Sequence, residues 1–177
     1  ITLKGIFVTS RENLKQLDTL FGTHNLPENI KHQFVDYYLD RFDAHIDTSN
    51  SDNWLLNFES KLKVTSEGIQ DFFHSNGDIS KPFTIVKYSS NVGDKYEFTT
   101  KEGKKIVREV VQKNPTEDWE LVFWRVKTIR VEEKLDDDPL FDKITYIANH
   151  KFGLVGIILN KKDGTVISST VIPWALL

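Results

Sequence analysis

A series of strand-length apolar segments fills the chain from Pro82 onward, and this series constrains the fold more than any other feature. Turn residues separate the segments, and Glu102-Gly103 and Asp163-Gly164 suit hairpins in which one residue adopts a positive φ angle. The pattern predicts a long, mainly antiparallel sheet with strands at residues 83–89, 94–100, 104–112, 119–133, 143–150, 153–160 and 165–173.

The segment at residues 119–133 differs from the other predicted strands because its middle is apolar on both faces. Trp124 and Val126 alternate with Leu121 and Phe123, so neither face of this stretch is polar. A strand that is covered on both sides has this composition. We therefore expect this segment to form one continuous strand at the centre of the sheet.

The first 80 residues follow a mostly helical period instead. Thr9 and Glu12 match a capping box, in which each side chain satisfies a backbone donor at the start of a helix, and this predicts a helix over residues 10–21. Pro27 suits the first turn of a second helix. That helix is predicted to run to about residue 45, because apolar side chains recur every four residues at Ile30, Phe34, Tyr38 and Phe42.

Three shorter elements are also predicted in this region. Residues 3–8 suit a short strand, and residues 54–64 alternate apolar and polar side chains, which favours a strand over a helix through Leu55, Phe58 and Leu62. Thr65-Ser66 then resembles the start of a short helix that ends at Asn76-Gly77 and contains Ile69, Phe72 and Phe73.

These elements predict an α+β fold in a single domain over residues 1–177, with N-terminal helices packed on a curved, mainly antiparallel sheet. Their order resembles the cone-shaped folds similar to nuclear transport factor 2. That resemblance implies a pocket between the helices and the curved sheet, lined by aromatic side chains. The aromatic residues that we expect to bind a ligand are Tyr38, Trp54, Trp124 and Tyr146.

Composition excludes several kinds of chemistry. The chain has no Cys, so it forms no disulfide, no thiolate metal site and no cysteine nucleophile. It also has no Met, and a chain that lacks both sulfur residues loses nothing in an oxidising compartment, so we expect a secreted or cell-envelope protein. The net charge of −3 argues against nucleic acid, and no apolar run approaches the roughly 20 residues that span a membrane.

Two histidines are the candidates for acid–base catalysis. Asp43 and His45 lie close together in sequence, and a carboxylate can orient an imidazole and raise its basicity. His150 shares a strand face with Tyr146 and could act in a pocket. The alternative for both candidates is more common: such residues lie at the surface or have a structural role.

Carboxylates suggest two metal hypotheses. Asp136, Asp137 and Asp138 could bind Ca²⁺ or Mg²⁺, although they lack the spacing and the central glycine of an EF-hand. A metal-dependent phosphodiesterase is the other hypothesis, because Asp118, Glu132 and Lys134 resemble the PD-(D/E)xK arrangement. That resemblance implies that the two acids hold a metal ion and that the lysine orients water. An acidic turn is the favoured interpretation of the first group, and we expect no bound cofactor.

The function that this sequence favours is non-catalytic binding of a protein partner or a small apolar ligand. This prediction depends on the absence of catalytic motifs and on the abundance of aromatic residues, with 12 Phe, 5 Tyr and 4 Trp. A small pocket enzyme with an Asp–His or Tyr–His pair is the main alternative. Oligomers could form through a sheet edge or through the apolar segment at residues 171–177.

Overall fold

The computed structural model describes residues 2–9, 27, 29–30, 33, 36, 44–47, 49, 54–75, 78–121 and 123–171. The chain divides into two compact units. The N-terminal unit comprises Ile1–Leu62 and Phe72–Ser80, and the C-terminal unit comprises Lys63–Asp71 and Lys81–Leu177. The single domain expected from the sequence stays a prediction.

Three antiparallel strands are described in the first part of the chain: β1 (Thr2–Thr9), β2 (Ala44–Asp47) and β3 (Trp54–Val64), whose last two residues fall in the C-terminal unit. β3 lies between the other two strands. Thr9 pairs with Trp54 on one side of β3, and Ala44 pairs with Phe58 on the other. A 3₁₀ turn at Phe73–Ser75 belongs to the N-terminal unit.

The C-terminal unit is built from antiparallel strands, and ten of them are described. They are β4 (Gly68–Asp71), β5 (Phe83–Lys87), β6 (Lys95–Thr99), β7 (Lys105–Lys113), β8 (Trp119–Leu121), β9 (Trp124–Val126), β10 (Ile129–Lys134), β11 (Phe141–Asn149), β12 (Gly153–Lys161) and β13 (Val166–Thr170). Six form one sheet in the order β13-β12-β11-β10-β7-β6, and β8 and β9 form a separate two-stranded hairpin. β4 and β5 pair with each other.

Side chains alternate between the two faces of each strand, and their burial shows where the core lies. Tyr146 and Ile147 are neighbours on β11 and therefore point to opposite faces of the six-stranded sheet, yet both are buried. Ile147 packs against the hairpin, whereas Tyr146 faces residues of β7 and β10 and lies beside Arg108. β11 is thus covered on both sides at these two residues.

Several predictions of strands and turns are confirmed. The predicted strand at residues 54–64 coincides with β3, and the predicted strand at residues 3–8 lies within β1. The two hairpin turns also contain the expected left-handed glycines, since Gly103 has a φ of 84° and Gly164 a φ of 87°.

The α+β class, and with it the cone-like resemblance to nuclear transport factor 2, is wrong. The described elements are strands and one 3₁₀ turn, and no N-terminal helices pack on a sheet within them. The predicted helix at residues 10–21 lies outside the described residues. Helical backbone occurs among the described residues of the second predicted helix only at Asn29, Ile30, Gln33 and Asp36, and its predicted end is replaced by β2.

The predicted short helix after Thr65 is also wrong, because Gly68–Asp71 is β4. The Thr65 hydroxyl accepts hydrogen bonds from the backbone N–H groups of Glu67 and Gly68, at 3.2 and 3.3 Å. These are the bonds of a helix cap, but the Thr65 N–H donates to the Gly68 carbonyl at 3.0 Å and closes a turn between strands.

The single long strand expected at residues 119–133 is three strands, β8, β9 and β10. The chain reverses at Phe123, so Leu121 pairs with Trp124 rather than continuing the same strand. The apolar residues on the two predicted faces therefore do not mark a central strand.

Candidate functional site

The β8–β9 hairpin lies on the six-stranded sheet and is fixed to it by apolar packing. Leu121 and Val126 are buried and form a core cluster with Ile147 and Val155 of the sheet. The side chains of these hairpin residues alternate with Glu120 and Arg125, which are a cross-strand pair and are exposed. One face of the hairpin is thus core and the other faces solvent.

Trp119 fastens the start of the hairpin to β12. Its indole Nε1 donates a hydrogen bond to the Val155 carbonyl at 3.2 Å. The ring lies directly over Gly156, where an added Cβ would be 2.5 Å from Trp119 Cζ2. Gly156 is required here because any side chain would occupy the space of the indole.

Asp118 holds the base of the hairpin. Its N–H donates to the Val126 carbonyl at 3.0 Å, and its carboxylate accepts hydrogen bonds from Thr128 Oγ1 at 2.8 Å and Arg130 Nη2 at 3.1 Å. The Arg130 guanidinium also lies 5.9 Å from the centre of the Trp119 ring. The hydrogen bonds of Asp118 and the contact between Arg130 and Trp119 therefore both fix the base of the hairpin.

The tip of the hairpin carries two exposed aromatic side chains. Phe123 is 86% exposed and Trp124 is 53% exposed, which is unusual for residues of this size. Their rings meet edge to face, with centroids 6.1 Å apart and an interplanar angle of 86°. We call Phe123 and Trp124 the aromatic tip.

The charge around the aromatic tip is mixed. Residues 117–127 contain three acidic side chains (Glu117, Asp118 and Glu120) and two basic ones (Arg125 and Lys127). This composition lacks the basic excess that phosphate groups of nucleic acid or anionic lipid attract.

A second unusual feature of the C-terminal unit is a buried ionic cluster around Arg108. Its side chain has no exposed surface, and Asp71 and Glu133 are buried with it. Arg108 Nε donates to Glu133 Oε2 at 2.7 Å, and Arg108 Nη2 lies 2.8 Å from Asp71 Oδ2. Arg108 Nη1 donates to the Thr84 carbonyl at 3.2 Å.

Aromatic rings enclose the same guanidinium. Its central carbon lies 4.0 Å from the centre of the Phe83 ring and 4.8 Å from that of Tyr146. The Tyr146 hydroxyl accepts from Arg108 Nη2 at 3.2 Å and donates to Glu133 Oε2 at 3.3 Å. We call Asp71, Arg108, Glu133 and Tyr146 the arginine cluster.

The arginine cluster keeps Arg108 charged. Burial alone lowers the pKa of Arg108, but Tyr146 once ionised, Asp71 and Glu133 together raise that pKa above its ordinary value. The cluster links β4, β7, β10 and β11 without reaching solvent.

Two of the aromatic residues that the sequence grouped in one pocket, Trp124 and Tyr146, have different surroundings. Trp124 is at the exposed tip of the hairpin, and Tyr146 is buried in the arginine cluster. Trp54 begins β3, and Tyr38 lies outside the described residues.

The histidine candidates are placed at the surface. His45 is exposed on β2, opposite Asn57 of β3, and His150 is exposed in the turn after β11. Asp43 lies outside the described residues. A general base in a pocket is shielded from bulk water, so the exposure of both histidines favours no acid–base role.

The carboxylate candidates have other partners. Asp137 forms an ion pair with Lys104, whose hydrogen bond lowers the pKa of that carboxyl. Asp138 Oδ1 accepts hydrogen bonds from the N–H groups of Leu140 and Phe141, at 2.9 and 2.8 Å, and thereby closes a turn. Asp136 is exposed.

The three residues of the phosphodiesterase hypothesis do not converge on one site. Glu132 pairs with Lys143 at 2.7 Å, Asp118 with Arg130, and Lys134 is exposed at the end of β10. Among the residues that the structure describes, no three acidic or histidine side chains converge in a way that could hold a metal ion.

The sequence carries a signal for the arginine cluster that no motif captures. Arg108 shares the apolar parity of β7 with Ile106 and Val110, and Glu133 shares that of β10 with Val131. A charged residue on the buried parity of a strand requires a buried partner. The aromatic tip had no such signal, because Phe123 lies in what reads as a continuous apolar strand.

Comparisons with known proteins do not assign the chain: no family model, no curated protein and no solved structure matches it. In the described part of the chain, no helix has the length and apolar character that crossing a membrane requires.

Proposed function

We propose that this chain is a non-catalytic binding domain whose partner is a protein that accepts the aromatic tip in an apolar recess. The observation that carries this proposal is the exposure of Phe123 and Trp124 on a hairpin whose base is fixed by Trp119, Asp118 and the buried Leu121. Large aromatic side chains at the surface cost solubility, and they are the residue types that dominate binding energy at protein interfaces.

The rigid base matters for affinity. A partner that binds a mobile loop must first order it, and that ordering reduces the binding free energy. Here Trp119 packs on Gly156 and donates to the Val155 carbonyl, so the hairpin is already positioned before a partner arrives. The geometry suits insertion of a preformed tip.

The chemistry of the surroundings favours a protein over the other classes of partner. A small apolar ligand needs a concave site that encloses it, whereas the aromatic tip is an exposed turn. Nucleic acid and anionic membranes require a basic surface, and residues 117–127 carry one more acidic than basic side chain (three against two).

The test uses random peptides displayed on phage, selected on the wild-type chain and then measured as purified peptides by calorimetry. We expect Trp124→Ser to weaken binding by about 2 kcal/mol, or roughly thirtyfold, as for a hot-spot aromatic residue. Val92→Ser is the matched control, because Val92 is an exposed apolar residue (60%) in a turn outside the hairpin.

Selected peptides that bind Trp124→Ser and wild type equally would contradict the proposal. Binding of the wild-type chain to vesicles of phosphatidylcholine and phosphatidylserine, lost in Trp124→Ser, would contradict it as well, because the aromatic tip would then be a membrane anchor. Salt should change the peptide affinity little, since the charges at residues 117–127 nearly cancel.

A further inference from the structure

β13 ends the six-stranded sheet, and within the part of the chain that the structure describes no strand lies on its other side. Its five residues, Val166–Thr170, include no charged side chain and no proline. All of them except Ile167 are exposed. Charged side chains and proline are the usual means by which a protein prevents an edge strand from pairing with another chain.

The opposite edge of the same sheet is protected in this way. β6 carries Lys95 and Glu97, which form ion pairs with Glu109 at 3.2 Å and Lys105 at 2.9 Å on β7. A strand added beside β6 would meet a row of charges, whereas a strand added beside β13 would not. The two edges therefore differ in their capacity to accept a new strand.

The hydrogen bonds to β12 reveal which backbone groups of β13 point outward. The Thr165 carbonyl accepts from the Lys161 N–H at 2.8 Å, and the Val171 N–H donates to the Val155 carbonyl at 2.9 Å. Backbone groups alternate in direction along a strand, so Ile167 and Ser169 also face β12. The N–H and carbonyl groups of Val166, Ser168 and Thr170 consequently face the open edge.

The outward groups are self-complementary. Ser168 is both an outward residue and the centre of β13, so a twofold axis through Ser168 pairs it with its own copy and pairs Val166 with Thr170 of the other chain. Each of these three antiparallel pairs can exchange two hydrogen bonds. No like charges oppose each other in this register.

We propose that β13 pairs with β13 of a second copy of this chain, antiparallel and centred on Ser168, so that two six-stranded sheets join edge to edge. The contact is short compared with a standard protein interface, so the dimer is weak and depends on concentration. This inference does not depend on the aromatic tip, and the Trp124→Ser chain should dimerise as the wild type does.

Sedimentation velocity from micromolar to millimolar protein tests the proposal. Ser168→Pro deletes the outward N–H without removing a bond to β12, and proline is tolerated on an edge strand. We expect it to raise the dimer dissociation constant by about tenfold or more, since the central pair loses its two hydrogen bonds. Ser168→Thr, which keeps the N–H, should leave the constant within about twofold.

Two further measurements keep the outcome clear should the proline variant fold poorly. Ser168→Lys places two like charges opposite each other at the twofold axis, so it should weaken the dimer, and added salt should partly restore it. In the wild-type chain, amide exchange at Ser168 and Thr170 should slow as concentration rises, whereas Ile167 and Ser169 stay protected at every concentration.

A wild-type chain that remains monomeric into the millimolar range would overturn the proposal. So would a dimer that Ser168→Pro and Ser168→Lys leave unchanged, because the contact would then lie elsewhere on the molecule.

Discussion

The arginine cluster and the aromatic tip both depart from the usual pattern, in which charged side chains lie at the surface and apolar side chains lie in the core. In the arginine cluster, charged groups are fully buried; at the aromatic tip, large apolar rings are exposed. The buried charges of the arginine cluster have partners within the protein, whereas the exposed rings meet each other edge to face. The arginine cluster is therefore part of the packed interior, whereas the aromatic tip is the surface that we propose binds a partner.

Both exceptions depend on the same six-stranded sheet. Two neighbouring residues of β11 contact the two features on opposite faces of this sheet. Tyr146 belongs to the arginine cluster, and Ile147 belongs to the core beneath the hairpin. Damage to one feature should therefore appear in stability and damage to the other in binding. Single substitutions in each feature test that separation.

The largest effect on stability is expected from Arg108→Met. This change leaves the carboxylates of Asp71 and Glu133 buried without their cation, and breaking a buried ion pair in this way costs about 3–5 kcal/mol. Urea unfolding followed by circular dichroism measures the change. Arg125→Met, at an exposed arginine on the hairpin, is the control and should stay within about 0.5 kcal/mol of wild type.

Gly156→Ala should have the next largest effect. The new methyl group would lie 2.5 Å from Trp119 Cζ2, so the indole must move and its bond to the Val155 carbonyl is lost, at about 1–3 kcal/mol. Trp119→Phe supplies the control, because a smaller ring leaves room for the methyl group. If the two changes add fully in a double-mutant cycle, the contact is not the cause.

Tyr146→Phe should cost less, about 1 kcal/mol. The variant loses the bond that the hydroxyl donates to Glu133 and the one that it accepts from Arg108, while the ring still stacks on the guanidinium. The same change should have a different effect in the Arg108→Met background, where one of those partners is already absent. An identical loss in both backgrounds would show that the hydroxyl acts independently of Arg108.

The sequence predicted local features well and distant ones poorly. β3 was predictable because one period-two pattern determines it, and the turns at Gly103 and Gly164 because glycine is favoured at their positive φ angles. The helix predicted after Thr65 failed because a hydroxyl that caps a helix forms the same short-range bonds in a turn. The bonds of the Thr65 hydroxyl are those of a helix cap, but they do not distinguish the start of a helix from a turn between two strands.

The candidate site was less predictable because it depends on pairing between segments far apart in the chain. Arg108 meets Asp71, Glu133 and Tyr146 only once the strands are aligned. Trp124 was expected to bind a ligand, but no periodicity indicates that the chain reverses at Phe123 and leaves both rings exposed. Parity along β7 and β10 is the signal that could have revealed the buried charges.

The central claim is that Phe123, the more exposed ring of the aromatic tip, contributes to binding and not to the fold, and the unfolding free energy of Phe123→Ser tests it most directly. We predict a change within about 0.5 kcal/mol in urea, because Phe123 is 86% exposed in the folded chain. A loss of about 2 kcal/mol or more would contradict the account, since the Phe123 ring would then be part of the core.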